Sequence, residues 1–309
     1  MDNEKKVSGA NHAIKDKGHH FCACGIAEFM GSHIRIKKKP RPYLLEKRLV
    51  RREGFGRILG NFLILPLNRE KKWEAFIELT DRLLPQPSHK IRSSSDRCAV
   101  IVELRRHPHL SYVIRNIAHF LDDSWGLHIF HGTENERFVK GIVHGWGDVL
   151  FTNLGKKNLT KEEYSLLLTS REFWLGLVSE HILIFQTDAI LRRRGIEQFL
   201  GYDYIGAPWK SEDTPGIGGN GGFSLRRRSV MLEILDKDRP DIPRVPEDIY
   251  FCTRLKEGRY NVAPKEVAMA FSVEELFHPD PLGTHIPRQL CSSRQINGIL
   301  LGVRYQEKE

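Results

Sequence analysis

The sequence predicts an α/β fold in which helices flank a mostly parallel sheet. Between residues 98 and 185, short apolar runs alternate with segments whose apolar residues recur at helical spacing, and the alternation repeats four times. The apolar runs are nearly continuous, which is typical of strands covered on both faces. Ligands of such sheets bind beyond the carboxyl ends of the strands, so polar residues that directly follow a strand are candidate site residues.

The first half of this region supplies the regular elements. We predict strands over residues 98–104, 125–130, 149–154 and 182–185. Helices are predicted over 110–121, 134–142, 160–169 and 171–178. Thr160 and Glu163 have the spacing of a capping box at the start of the third helix.

The pattern becomes less regular after residue 188. We predict a strand over 202–206, a helix over 226–235, a helix that opens at Pro246, and a strand over 267–273. Five glycines lie between residues 216 and 222. We place the main domain at residues 96–300 and treat residues 1–95 as a basic N-terminal extension and linker.

The composition restricts the partners without selecting one. The 309 residues carry a formal net charge of +9, and the pI is near 9.3. Such a charge favours nucleic acid, a membrane surface or a phosphate-bearing substrate. The five scattered cysteines predict reduced thiols and a reducing compartment. Because neither a signal peptide nor a stretch of about 20 apolar residues is present, we expect a cytoplasmic protein with no transmembrane segment.

The extension has few periodic features. Residues 1–60 lack helical or strand periodicity, which predicts partial disorder, and a basic run lies between residues 35 and 52. That run is either an address for an acidic partner or a solvated tail. A zinc site is disfavoured, because no second pair accompanies the first candidate ligands, His19, His20, Cys22 and Cys24. An apolar segment over 61–67 precedes a helix predicted over 73–84, which we expect to pack on the main domain.

One polar tripeptide, Gln186-Thr187-Asp188, follows the fourth predicted parallel strand. It has two interpretations. Asp and Thr are good helix caps, so the tripeptide is typical of a strand followed by a helix. Alternatively, Asp188 lies at the rim of the sheet, where a metal ligand belongs.

The order of the later motifs favours the metal interpretation. Transfer of a sugar from a nucleotide diphosphate requires a neutralised leaving group and a deprotonated acceptor hydroxyl. Asp188 and His285 are candidates for holding the cation, and Asp248 or Glu247 for removing the proton. The alternative for the last two is a purely electrostatic role at a helix start. His278 is a rival of His285.

Five motifs in this order resemble an incompletely characterised glycosyltransferase-like domain family of GT-A type. They are Gln186-Thr187-Asp188, Gly206-Ala207-Pro208-Trp209, residues 219–226, Pro246-Glu247-Asp248 and residues 271–274. The resemblance implies a GT-A-like fold with a Rossmann-type nucleotide-binding half, a divalent cation (Mn²⁺ or Mg²⁺) and a nucleotide-sugar donor. The acceptor, a glycan, protein or small molecule, is not specified.

The resemblance also implies roles for individual residues. Asp188 corresponds to the last acid of the Asp-x-Asp metal motif, Gln186 replaces the first acid, and His285 is the late metal ligand. Asp248 corresponds to the catalytic base. The loop of Gly219, Asn220, Gly221, Gly222 and Phe223 resembles the acceptor-side loop. From their positions at strand ends, we expect Glu103, Arg105, Thr187 and Asp188 near the nucleotide. Trp209 either stacks on a sugar or base or is a core aromatic.

We therefore expect a metal-assisted, nucleotide-sugar-dependent glycosyltransferase, in which Gln186 brings no charge and the cation has fewer anionic ligands than usual. Two alternatives remain open at this stage. One is a GT-A-like binding domain without turnover, and the other is a nucleic-acid-binding protein that acts through the basic extension. A sugar nucleotidyltransferase is disfavoured, because Arg105-Arg106-His107-Pro108 follows the first predicted strand in place of a glycine-rich loop.

Overall fold

The structure, a computed structural model, describes residues 69–81, 84–211, 214–238 and 245–285. The predictions for the basic run, for residues 1–60 and for the segment 61–67 lie outside these residues, as do the candidate zinc ligands. No helix within the described ranges is long and apolar enough to cross a bilayer.

Helices and strands alternate along the described chain. The helices are α1 (Arg69–Asp81), α2 (Leu110–Phe120), α3 (Glu136–Ile142), α4 (Lys161–Leu168), α5 (Arg171–Leu175), α6 (Arg228–Lys237), α7 (Glu247–Glu257) and α8 (Lys265–Phe271). The strands are β1 (Arg97–Val102), β2 (Trp125–His131), β3 (Leu150–Asn153), β4 (His181–Phe185), β5 (Ala189–Leu191), β6 (Tyr204–Gly206), β7 (Phe223–Arg227), β8 (Ser272–Val273) and β9 (Gly283–His285).

Within the described residues the strands form two sheets. The larger has the order β3-β2-β1-β4-β7-β6, and its first four strands run parallel to one another. Strand β7 is antiparallel to both β4 and β6. The mixed α/β class with a mostly parallel sheet flanked by helices is therefore confirmed.

The central strands of this sheet are buried on both faces, as their apolar runs predict. Ala99 and Ile101 of β1 face one core cluster, which α2 and α1 complete, whereas Cys98 and Val100 face a second cluster built on α5, α6 and α7. Cys98 and Cys252 are free thiols, and burial raises the pKa of Cys98 to about 12.

The smaller sheet has the order β5-β9-β8, so that β9 lies between two partners. Strand β5 begins one residue after Asp188 and runs antiparallel to β9, with Ala189 opposite His285. Strand β8 runs parallel to β9, with Val273 opposite Thr284. This register brings the start of β5 and the ends of β8 and β9 together at one edge.

Most predicted elements are present, with three corrections. The helix predicted over 226–235 begins at Arg228, because residues 223–227 extend β7. The strand predicted over 267–273 is wrong: residues 265–271 form α8, which follows Pro264, and only Ser272 and Val273 are extended. The helix predicted over 171–178 ends at Leu175. The capping box of Thr160 and Glu163 is confirmed.

Helix α1 packs on the side of the sheet that carries α2. Trp73, Phe76 and Ile77 are buried in the first core cluster. The Thr80 hydroxyl lies 2.7 Å from the Tyr112 hydroxyl, and Arg115 donates to the Asp81 carboxylate at 2.7 Å. The described part of the helix ends at Asp81, and residues 82 and 83 of the predicted range lie outside the described residues.

Candidate active site

A cavity of about 500 Å³ opens beyond the carboxyl ends of β1 and β4. Successive strands after β1 extend the sheet in one direction through β2 and β3, and the chain then places β4 on the other side of β1. The two neighbouring strands therefore continue in opposite directions, and the resulting crevice is where open α/β sheets bind ligands. The lining includes residues 102–105 after β1, residues 186–188 after β4, and residues 246–248 at the start of α7.

The tripeptide after β4 does not cap a helix. Residues 186–188 form a turn that leads directly into β5, so the cap interpretation is wrong. Gln186, Thr187 and Asp188 all line the cavity, and Thr187 is the most buried of the three.

His285 lies against Asp188 within the cavity wall. Its Nε2 is 3.3 Å from Asp188 Oδ1 and 3.3 Å from Gln186 Oε1, while its Nδ1 is 3.4 Å from Glu274 Oε1. The His285 side chain is only 2% exposed. Burial alone lowers the pKa of His285, but Asp188 and Glu274 outweigh burial and raise it to about 9.

The start of α7 brings a second carboxylate to the cavity. Asp248 is half-buried, and its Oδ2 accepts a hydrogen bond from the Gly221 N–H at 2.9 Å. Its Oδ1 accepts one from the Ile249 N–H at 2.8 Å. These two bonds fix the carboxylate, and each oxygen retains a second lone pair that can accept a proton.

Glu247 has a different environment from Asp248. It is 4% exposed, and both of its oxygens accept hydrogen bonds from Arg226, at 2.6 and 2.8 Å. Burial raises the pKa of Glu247, and the Arg226 guanidinium opposes that shift. Because the pair is bidentate, Glu247 has a structural partner, which leaves Asp248 as the better candidate for a base.

Arg226 lies in an aromatic enclosure that the sequence analysis did not anticipate. Its guanidinium carbon is 4.9 Å from the centre of the Tyr204 ring and 5.7 Å from that of Phe251. The residue is 0% exposed and also donates to Ser224 Oγ at 2.9 Å. An arginine in this environment stabilises the fold through cation–π contacts as well as through its ion pair.

The glycines before β7 make room for the protein's own side chains. A Cβ on Gly221 would lie 2.1 Å from Glu247 Oε1, and a Cβ on Gly222 would lie 2.2 Å from His285 Nε2. Gly219 has a φ of +113°, which favours glycine. The absence of a side chain at these glycines therefore allows the backbone to pass close to Glu247 and His285.

The loop after β1 is held by its own polar groups. Both oxygens of the buried Glu103 accept hydrogen bonds from Arg105, at 2.8 and 2.7 Å, and half of the Arg105 side chain is exposed. Asn135 donates to the backbone carbonyls of both residues. Glu103 and Arg105 therefore line the cavity in a fixed arrangement.

The predicted substrate-binding residues separate into two groups. Asn220 and Gly222 line the cavity. The Phe223 side chain is fully buried and stacks on Phe271 at 5.2 Å, so it faces the core. Trp209 packs on the second core cluster, and Gly219 and Gly221 lie behind the surface; none of these three is among the described residues that line the cavity.

Other candidates from the sequence lie away from the cavity. His278 accepts a hydrogen bond from the Asp280 N–H and is not among the described lining residues. Arg192 is 2% exposed and donates to the Pro281 carbonyl at 2.7 Å, so it is held in the fold and does not line the cavity. Arg194 donates to the carbonyls of Leu121 and His119.

Tyr164 and Glu274 contribute to the site without having been assigned a role in it. Tyr164 lines the cavity from α4, beside Thr160 and Lys161, and burial raises its pKa. Glu274 directly follows β8 and contacts His285 from behind. The capping box predicts where α4 begins. The position of α4 over the cavity depends on contacts between residues that are far apart in the sequence.

The donor set fits a divalent cation in part. Asp188 Oδ1 and His285 Nε2 are 3.3 Å apart, close to the roughly 3 Å between neighbouring ligands of an octahedral ion. Gln186 adds a neutral oxygen. Among the described residues no group of three or more His, Cys, Asp and Glu side chains is arranged to hold a metal ion. The remaining ligands of a cation here must come from substrate and water.

One family model matches part of the chain. A family model described as "Protein of unknown function (DUF5672)" matches residues 149–285. The match includes Asp188, Asp248, Glu274 and His285. The chain has no match among curated protein sequences.

Solved structures of a glycosyltransferase are similar to this chain. The apo form of glycosyltransferase GlyE from Streptococcus pneumoniae TIGR4 shares 11% identity over 61% of this chain and 54% of its own, with a TM-score of 0.39. A second GlyE structure shares 13% identity over 52% of this chain and 43% of its own, with a TM-score of 0.35. This chain therefore spans about half of the length of those proteins.

A third similar structure holds a ligand and a metal ion. It is the mannosyltransferase PcManGT from Pyrobaculum calidifontis in complex with GDP-Man and Mn²⁺. It shares 16% identity over 79% of this chain and 67% of its own, with a TM-score of 0.40.

Proposed function

We propose that this protein is a glycosyltransferase that moves a sugar from a nucleotide-diphosphate donor to an acceptor hydroxyl. The observation that supports the proposal is the convergence of Asp188, Gln186, His285 and Asp248 on one cavity at the switch point of the sheet. That position suits a nucleotide, and the motif resemblance described above suggests a nucleotide sugar.

The residues divide the work between the two sides of the cavity. Asp188 and His285, with the Gln186 oxygen, would hold a divalent cation such as Mn²⁺ or Mg²⁺. When bound, the cation neutralises the diphosphate that leaves. Arg105 and Lys161 at the cavity wall provide further positive charge for the phosphates.

Asp248 is the proposed base. As the acceptor oxygen forms its bond to the anomeric carbon, the bond from that carbon to the diphosphate oxygen breaks, and the acceptor proton passes to the Asp248 carboxylate. The hydrogen bonds from Gly221 and Ile249 hold the carboxylate in place for this step. Glu247 supports the helix start through Arg226 and takes no part in proton transfer.

A panel of UDP- and GDP-sugars tests the proposal directly. With Mn²⁺ present, we expect the wild-type protein to release nucleoside diphosphate from one of these donors. Asp248→Asn should reduce the rate by about 10²- to 10⁴-fold, the usual contribution of a general base, with little change in donor affinity. Glu257→Gln, an exposed change at the far end of the same helix, is the matched control.

A donor-binding domain without turnover is the second candidate, and Gln186 in place of an acid favours it. This candidate predicts metal-dependent binding of a nucleotide sugar without release of diphosphate. Calorimetry with the same donors measures binding, which both candidates predict. Release of diphosphate from a bound donor then distinguishes the transferase from the binding domain. If no donor binds or turns over, both are wrong.

A further inference from the structure

The small sheet brings two carboxylates to one imidazole. Asp188 precedes β5, His285 ends β9, and Glu274 follows β8. Because Ala189 pairs with His285 and Val273 pairs with Thr284, Asp188 and Glu274 lie on opposite sides of the ring. Asp188 contacts Nε2 and Glu274 contacts Nδ1, at 3.3 and 3.4 Å.

Only one of these two carboxylates lines the cavity. Asp188 is part of the lining, whereas Glu274 is 8% exposed and, among the described residues, is not part of it. With a carboxylate at each nitrogen, the metal-free ring carries both of its protons, and a cation would displace the proton on Nε2. The buried Glu274 would then keep the proton on Nδ1, which leaves Nε2 to bind a ligand. In this arrangement the ligand-binding nitrogen is Nε2, on the cavity side.

Asn220, in the glycine loop, holds the Glu274 carboxylate in place. Asn220 Nδ2 donates to Glu274 Oε1 at 3.3 Å, and Asn220 Oδ1 accepts a hydrogen bond from the Gly222 N–H at 2.6 Å. The backbone of Gly222 in turn passes so close to His285 that a Cβ there would clash with the ring. The loop, Asn220, Glu274 and His285 therefore form a continuous set of contacts.

We infer that Glu274 is a positioning residue that acts through His285, presenting Nε2 beside Asp188 to a divalent cation. The inference rests on the metal-assisted form of the proposed function. It assigns to Glu274 a role that its place in the motif over residues 271–274 does not specify. It also explains why Asn220, which lines the cavity, donates a hydrogen bond from its side-chain amide to a buried carboxylate.

Mn²⁺ binding without turnover tests the inference. The free Mn²⁺ signal in electron paramagnetic resonance is titrated with protein in the presence of UDP or GDP. Glu274→Gln should weaken Mn²⁺ affinity by about 10- to 100-fold, the usual effect of losing such a supporting group. Glu275→Gln, at the neighbouring carboxylate that accepts from the Lys210 N–H, should bind as the wild type does.

A double-substitution cycle tests whether Glu274 affects Mn²⁺ affinity through His285. If Glu274 acts through His285, Glu274→Gln should cause no further loss of affinity in a His285→Ala background. An equal loss in both backgrounds would overturn the inference, as would unchanged affinity in the single variant. Thermal unfolding without Mn²⁺ checks that each variant folds. If Glu274→Gln does not, Glu274→Asp decides in its place, since the shorter side chain retracts the carboxylate from Nδ1.

Failure of this inference can be told apart from failure of the proposed function. A wild-type protein that turns over a donor without binding Mn²⁺ contradicts the inference alone. A protein whose Mn²⁺ affinity depends on Glu274 but that turns over no donor supports the inference and contradicts the transferase activity.

Discussion

Two charged clusters lie under adjacent glycines and differ in how completely the protein satisfies them. Under Gly221, Arg226 and Glu247 form a bidentate pair at 2.6 and 2.8 Å, enclosed by aromatic rings. Under Gly222, His285 contacts its neighbours at 3.3 to 3.4 Å and borders the cavity. The first cluster is closed and supports the fold. The second has the longer contacts and the cavity access that a site for an external ligand requires.

The largest effect should come from breaking the closed cluster. Arg226→Met leaves the Glu247 carboxylate buried without its cation, and we expect it to lower the free energy of unfolding by about 3 to 5 kcal/mol. Urea unfolding followed by circular dichroism measures the loss. Arg227→Met, at the next residue of β7, is the control, because that side chain is partly exposed and its contact with Asp203 is longer, at 3.3 Å.

The double variant Arg226→Met with Glu247→Leu sharpens the result. Since it removes both charges, it should recover much of the lost stability. If it is no more stable than Arg226→Met alone, the cost comes from lost packing rather than from the unpaired carboxylate.

His128, a buried residue remote from both clusters, contributes to the pH dependence of the free energy of unfolding. His128 in β2 stacks on Phe130, its Nε2 lies 2.8 Å from Thr152 Oγ1, and burial lowers its pKa from 6.5 to about 4. Protonation therefore favours the unfolded chain. Stability should be unaffected above pH 6.5 and fall by about 2 to 3 kcal/mol between pH 6.5 and 4.

Unfolding of His128→Gln over the same pH range measures this contribution. The variant should show a shallower decline than the wild type, because Gln does not titrate. Parallel declines would mean that other groups cause the loss of stability in acid.

Alanine substitutions at Gly221 and Gly222 should have the smallest effects, and they test the difference between the two clusters. An added Cβ meets Glu247 and Arg226 at residue 221, and His285 and Gln186 at residue 222. Gly221→Ala should therefore lower the free energy of unfolding by about 1 to 3 kcal/mol. Gly222→Ala should affect Mn²⁺ affinity more than stability. The reverse pattern in the two assays would contradict the division into a closed cluster and a ligand-binding one.

The parallel strands and the α2 helix could be predicted because their signals are local. Apolar periodicity over 98–104 and 110–121 depends only on neighbouring residues. The position of the cavity followed from the same alternation, since strand ends meet at one edge of the sheet. Asp188 and Asp248 were found because each directly follows or opens a regular element.

Arg226 and Glu274 could not be assigned in this way. Arginine is usually exposed, so the burial of Arg226 in β7 has no local signal, and its partner lies 21 residues further along the chain. The strand predicted over 267–273 is wrong because five consecutive apolar residues carry no period, whereas Pro264 is typical of a helix start. The Gln186–His285 contact joins residues 99 apart, a separation that no local pattern encodes.

The middle place of β9 in the small sheet affects the order in which the molecule matures. All described strands of the larger sheet have been synthesised by residue 227, whereas β5 and β8 gain their shared neighbour only when residues 283–285 are made. A nascent chain can thus assemble the larger sheet while Asp188 and Glu274 still lack the imidazole between them. We therefore expect the proposed cation site to be completed late in folding.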